Sequence, residues 1–449
     1  MKYQTYSATP EAVWFHKVPA GWRATKMREL FAERNTKVSD KEYPALSVGK
    51  MGIVPQLDTA VKTDNGDNRK LICKGDFAIN SRSDRKGSSG ISKYDGSCSL
   101  IITVLKPHYE LNGRFYHYLL RSHYFVEEFY RNGHGLVADL WTTKWDELRN
   151  IYVPVPPRAE QDQIVRYLDW QVSRINKLIH GYQKQIKLLE EELSTISSRA
   201  AIRGIREDVE YNNPHIIGFD KIPSQWKVLQ NKRIFRERSD FSEKGDEILL
   251  SVSKHYGVKP MHELTEDEQY ATIKPAETLV GYKKVSKGDL VMNIMRARNG
   301  SYGISDYDGI VSPAYCVYKT IIPVDSRYMQ YLLKTPQTIS IFEAYSYGIA
   351  EHRRRLYAPD FLRLYLPVPP YNEQVKIADF LDKKSEQIDF LTTKIKVQIN
   401  LLREYRTRLI SDVVTGQMDV RGIEIPDYTP EEDIEESDIE EGAVTNDAQ

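Results

Sequence analysis

The residues with most capacity for chemistry sit in two basic loops beside glycines, one in each half of the chain. The first carries Arg82, Ser83, Arg85, Lys86, Ser88 and Ser89; the second carries Arg296, Arg298, Asn299 and Ser301. Arginine can grip guanine O6 and N7 with two hydrogen bonds, asparagine can do the same for adenine, and serine can hold a phosphate. A further cluster runs Tyr345-Ser346-Tyr347-Gly348 and then Glu351-His352-Arg353-Arg354-Arg355. Three consecutive arginines do not suit a buried strand, whereas a phosphate clamp would suit them. The equivalent stretch in the first half is His134 with Trp141-Thr142-Thr143-Lys144. The competing reading of all four stretches is a charged, solvated loop.

Other reactive groups carry less. Asp76 and Asp289 each sit in a Lys-Gly-Asp turn without the Glu-x-Lys partner of a nuclease site. Pro369-Pro370-Tyr371 has the ending of the Asn/Asp-Pro-Pro-Tyr motif of amino-methyltransferases, but Val368 stands where the acid or amide belongs, and Arg158 follows the prolines of the first copy. Both proline pairs therefore read as helix entries. There is no GxxxxGK[ST] loop and hence no sign of an ATPase. The three cysteines are scattered and the ten histidines lack ligand spacing, so no metal site is expected. An enzymatic reading of the chain alone is weak.

These loops recur because the chain is internally duplicated. Phe15, Pro19 and Trp22 match Phe219, Pro223 and Trp226 at an offset of 204. From Lys74-Gly75-Asp76 onward, matched to Lys287-Gly288-Asp289, the offset is 213. Asn80 then matches Asn293, Gly90 matches Gly303, and Tyr118-Leu119-Leu120 matches Tyr331-Leu332-Leu333. Repeats at fixed spacing mark one structural unit used twice. Within each copy, β-branched runs such as 100–105 and 315–318 predict strands, and 116–130 and 328–345 predict helices.

Each copy closes on Pro-Val-Pro-Pro and Glu-Gln, followed by a long apolar seam. The first seam includes Ile164, Leu168, Val172, Ile175, Ile179, Ile186, Leu189 and Leu193. The second includes Ile377, Leu381, Ile388, Ile395, Ile399, Leu402 and Leu409, with Ser385, Thr392 and Arg406 interrupting it. Alternating steps of four and three give a 3.5-residue repeat, the period of a coiled coil. Helices of about 40 residues, roughly 60 Å long, need partners, and each copy is the nearest candidate for the other. The fold class expected is α+β: two pseudo-twofold-related mixed α/β globules joined by two long helices in an antiparallel coiled coil.

Composition, 41% hydrophobic and 28% charged, belongs to a soluble globular chain of 449 residues, with no run long enough for a membrane span and no signal-peptide pattern at Met1 to Phe15. The cysteines then read as reduced thiols, which points to the cytoplasm. The zero net charge is uneven. No lysine or arginine follows Arg421, and eleven acids do; removing those eleven from the total of 63 leaves 52 acids against 63 bases, about +11 for the body. A basic body with an acidic tail suits a polyanion binder.

The Phe/Pro/Trp entries, the Lys-Gly-Asp…Asn segments, the Tyr307 to Tyr315 run and the Pro-Val-Pro-Pro…Glu-Gln helices together resemble the DNA-specificity subunit of Type I restriction-modification enzymes, over residues 12–421. The resemblance implies two target recognition domains (1–157 and 206–370) and two spacer helices (158–205 and 371–421); acidic composition points to a disordered tail (422–449). It implies a non-catalytic chain that binds a split site on double-stranded DNA, with no bound metal or cofactor. Partners would be two methyltransferase subunits and two restriction subunits, which bring S-adenosylmethionine, ATP and Mg. The first copy departs from the family run at Tyr94 to Leu100, which fits two globules of different preference. The alternatives are a structural tether between two proteins, or a stand-alone nuclease or methyltransferase.

Overall fold

The computed structural model describes residues 2–50, 52–56, 66–82, 85–135, 141–264, 278–348 and 354–430. Two units emerge, one from 1–183 with 396–448 and one from 184–395 with 449, so each long helix contributes to both.

In the first unit, β1 (Arg23–Lys26) leads to β2 (Phe31–Glu33), the hairpin β3 (Leu46–Gly49) and β4 (Gly52–Pro55), β5 (Phe77–Asn80), β6 (Ser89–Ile91) and β7 (Ile102–Pro107). Helices α1 (Gly113–Arg121) and α2 (His123–Arg131) follow, then β8 (Tyr152–Val155) and the long helix α3 (Arg158–Arg203). The main sheet is antiparallel in the order β6-β5-β7-β2, and β8 pairs with β1. Phe31 and Tyr116 pack edge to face, with centroids 5.7 Å apart, between sheet and helices.

The second unit repeats this. It has β9 (Lys227–Gln230), β10 (Phe235–Glu237), the hairpin β11 (Leu250–Ser253) and β12 (Gly257–Pro260), β13 (Leu290–Met292), β14 (Tyr302–Ile304) and β15 (Cys316–Thr320). Helices α4 (Ser326–Leu333) and α5 (Pro336–Ala344), strand β16 (Tyr365–Val368) and helix α6 (Tyr371–Val414) complete it. The sheet order β14-β13-β15-β10 is that of the first unit, and the register repeats too: Leu105 opposite Phe77 becomes Tyr318 opposite Leu290. The core gathers Tyr318 on Phe361 at 4.7 Å and Tyr302 on Phe342 at 5.3 Å.

The Glu-Gln after each proline pair has a local cause. Gln161 Nε2 donates to Pro156 O and Gln374 Nε2 to Pro369 O, each at 2.9 Å, so a buried amide closes the strand-to-helix corner. Both long helices end before a left-handed glycine, Gly204 (φ +75°) and Gly416 (φ +73°), the backbone state of a helix C-terminal cap. Each globule is also anchored to a long helix in the same way. Arg114 Nε and Tyr118 Oη meet Asp169 at 2.9 and 2.6 Å; Arg327 and Tyr331 meet Asp382 at 2.6 and 2.9 Å.

The seam positions are the buried or half-buried ones. Ile164, Leu168, Ile175, Ile399, Leu402 and Leu409 serve the first unit, and Ile186, Leu189, Leu193, Ile377, Leu381 and Ile388 the second. In the first unit Tyr167 Oη approaches Met418 Sδ (3.8 Å), and Arg406 Nη1 donates to Asn176 Oδ1 (2.7 Å). From Asn176 back to Tyr167 on α3 the partner moves forward from Arg406 to Met418, just past the end of α6, so within this unit the two segments run antiparallel. Arg406, an interruption in the apolar seam, thus finds a buried polar partner. After Gly416 the chain turns back along α3: Gln163 Nε2 donates to Ile423 O (2.9 Å), and Ser173 Oγ lies 3.4 Å from Thr429 O. The described part of the acidic segment, 422–430, therefore lies on α3, and 431–449 fall outside the described residues. Among the described residues no helix is long and apolar enough to cross a membrane.

Candidate nucleic-acid interface

Both basic loops start from the same turn. The buried Asn80 accepts at Oδ1 from Arg82 N, and Asn293 does so from Met295 N, each at 3.1 Å. These are Asx turns, in which a short amide side chain mimics a backbone turn. The loops then return to the sheet through Asn80 N to Ser88 O (2.9 Å) and Asn293 N to Ser301 O (3.1 Å).

The second pair of stretches is brought onto the first. His134 and Thr142 form an antiparallel bridge, and Tyr347 and Arg355 form its counterpart. Thr143 N then donates to Ser81 O, and Leu356 N to Ile294 O, both at 3.0 Å. Arg82 bridges to Thr142 directly. Each unit therefore presents two adjoining loops, 80–88 with 134–144 and 293–301 with 345–356, where the sequence shows four separate clusters.

The side chains divide into exposed and structural. Arg82, Arg85, Lys86 and Lys144 are exposed in the first unit, and Arg296, Asn299, Tyr347 and Arg355 in the second. Lys86 pairs with Glu127 at 2.6 Å. Three expected contacts need correcting. Thr143 is buried and its hydroxyl donates to Phe129 O (2.9 Å); Ser88 and Ser301 are buried at the loop closures. All three are buried where loop joins sheet, away from the exposed surface of the loops. Thr142 and Arg298 are half-buried. Arg354 is half-buried and turns inward: its Nε donates to Ser346 O (3.1 Å) and its Nη2 to Glu343 O (3.2 Å), bracing the C-terminal end of α5. Ser83, His352 and Arg353 lie outside the described residues.

Several positioning groups escape a motif search. Tyr130 Oη donates to Arg82 O at 2.9 Å, and the half-buried Tyr315 phenol lies near Arg296. Burial pushes the Lys334 ammonium down to about 8 and the His117 imidazole down to about 3. Asp76 and Asp289 are locks rather than catalysts. Asp76 takes Arg34 Nε and Nη2 at 2.6 and 3.0 Å and Cys73 N at 2.8 Å; Asp289 lies 2.9 Å from Arg238 Nε and accepts Ser286 N at 2.8 Å. Among the described residues no group of three or more His, Cys, Asp or Glu is placed to hold a metal ion.

Residues 223–401 match the family described as Type I restriction modification DNA specificity domain. That stretch of the chain is similar to this DNA-specificity family. Its members supply recognition rather than catalysis. Two similar curated proteins are from Methanocaldococcus jannaschii. The Type I restriction enzyme MjaVIII specificity subunit is 24% identical over 61% of this chain and 64% of its own length. The putative Type I restriction enzyme MjaX specificity subunit is 19% identical over 90% and 95%. A chain from a solved structure on complex assembly and conformational transition of the type I R-M system overlays with a TM-score of 0.62, at 14% identity, over 90% of this chain and all of that one. The fold is thus shared over nearly the whole length. The loops 293–301 and 345–356 of this chain both lie inside the matched stretch.

Proposed function

We propose that the chain reads a bipartite site on double-stranded DNA, one half with each unit, and directs adenine-N6 methylation by two methyltransferase subunits. In the full complex it would direct cleavage by two restriction subunits. The observation that carries this reading is the duplicated loop pair, with equivalent Asx turns and bridges but different exposed side chains. Arg82, Arg85, Lys86 and Lys144 face solvent in one unit; Arg296, Asn299, Tyr347 and Arg355 do so in the other. One scaffold with two sets of side chains is what two different half-sites require.

S-adenosylmethionine, ATP and Mg would belong to the partners, and the setting is the cytoplasm. The long helices keep apolar residues on their outer faces. Leu178, Val397, Leu401 and Tyr405 are exposed in the first unit, and Leu188, Phe390 and Leu391 in the second. Exposed aromatic and aliphatic stripes of this kind favour docking of partner helices, here those of the methyltransferase.

The test replaces Arg296 and Arg298 by alanine in the assembled complex and determines the site selected from random duplexes. Lost preference in one half with the other intact supports the assignment. An unchanged site removes this loop from base reading.

A further inference from the structure

The recognition loop of the second unit is built against a hairpin that no motif marks. A Cβ placed on Gly303, in β14, would lie 3.2 Å from Gly257 Cα at the tip of β11–β12. The same crossing occurs in the first unit, where a Cβ on Gly90 would lie 3.1 Å from Gly52 Cα. The two backbones touch, and any side chain at the crossing would separate them.

One cation ties the tip to the loop. Lys334 follows α4, and its Nζ donates to Gly300 O and lies 3.4 Å from Lys254 O, with the ammonium 4.8 Å over the Tyr302 ring. Gly300 closes the turn that carries Arg296, Arg298 and Asn299. At the equivalent place in the first unit, Arg121 Nη2 donates to Lys50 O, the counterpart of Lys254. A polar chain runs through the same junction. Tyr256 Oη is 2.7 Å from Ser251 Oγ and sits near the Tyr315 phenol, which lies close to Arg296. Lys259 Nζ stands 5.3 Å from the centre of the Tyr256 ring.

The tip therefore sits on the face that displays Arg296 and Asn299, and it offers Lys254, His255 and Tyr256, of which His255 is exposed. We propose that the β11–β12 tip is a further DNA-contacting element for the second half-site. His255 touches the duplex, and Lys334 is the positioning residue that holds the tip against the recognition loop. This rests on the DNA-reading function proposed above. An imidazole N–H can donate to a guanine edge or a phosphate. A clamp through two carbonyls keeps that donor in register with the arginines. The unit-specific part is the side chains, since Lys50 and Gly52 flank the corresponding tip in the other unit.

The experiment uses the assembled complex with three variants: His255→Ala, Lys334→Met and Lys334→Arg. Selection from random duplexes and salt-dependent affinity are measured for each, with thermal unfolding as the fold control. His255→Ala should weaken the cognate site roughly five- to hundredfold where the contact is to a base, altering preference at one or two positions of the second half only. A phosphate contact instead lowers the slope of log affinity against log salt by about one, without a change of preference. Lys334→Met should disturb the same positions, and Lys334→Arg, the residue of the first unit, should restore them. Wild-type preference, affinity and salt slope in His255→Ala would overturn the proposal. Should the wild-type complex select no sequence at all, the DNA reading itself fails, and the two failures are separable.

Discussion

Replacing Asp76 by alanine tests whether the Lys-Gly-Asp turns are structural. The carboxylate is 3% exposed and binds a guanidinium that is 17% exposed, so the pair is nearly out of water. The substitution leaves the Arg34 charge without its acceptor and orphans Cys73 N–H. Removing one partner of a buried pair costs about 3–5 kcal/mol. A unit of this size loses about 2–4 °C of Tm per kcal/mol, so a fall of roughly 6–20 °C is expected in its transition. Asp76→Asn should cost less, because the amide oxygen still accepts from Cys73 N–H. The double replacement Arg34→Met with Asp76→Met should come close to wild type, since apolar pairs can substitute for buried ions. Urea and thermal unfolding of the full chain, followed by circular dichroism, give these values. A loss below about 1 kcal/mol in Asp76→Ala would refute the lock argument. DNA cleavage by the isolated chain, abolished in Asp76→Asn without a stability change, would revive the nuclease reading.

Further outcomes are specific. Inserting seven residues into both α3 and α6 should lengthen the recognised gap by about three base pairs, from roughly 10 Å of helix, with both half-sites kept; an unchanged gap contradicts a helical ruler. His117 is neutral when folded and titrates near 6.5 when unfolded, so its contribution is complete above pH 6.5 and lost as pH falls through about 3. His117→Gln, which installs the residue found at the equivalent Gln330, should remove a loss of about 1.4 kcal/mol per pH unit in that window. Parallel pH–stability curves would count against this. Arg355→Ala should lower the salt slope of DNA binding by about one. Arg354→Ala should instead cost about 1 kcal/mol of stability through its bonds at the end of α5; the reverse pattern would exchange their roles.

The duplication, the helical seams and the basic loops were legible because they depend on local pattern: fixed offsets, a 3.5-residue period, and charge beside glycine. Long-range placement was not. Thr142-Thr143-Lys144 reads as three polar contacts, yet β-type pairing onto residue 81 buries Thr143 and half-buries Thr142, leaving only Lys144 exposed. Ser88 and Ser301 are serines in a basic loop by sequence and closure points by structure. Arg354 is one of a run of arginines until the end of α5 supplies carbonyls for it. The hairpin clamp left only indirect traces, the paired glycines Gly90 and Gly303, because its two contacts are to backbone carbonyls that any residue could supply.

The most direct measurement is a map of N6-methyladenine in a host that co-expresses this chain with the methyltransferase encoded beside it. The account predicts methylation at a split motif, two short defined halves around a fixed unspecified gap, with exchange of residues 206–370 for another recognition domain altering one half alone. Methylation that is absent, or indifferent to this chain with both proteins folded, would contradict it.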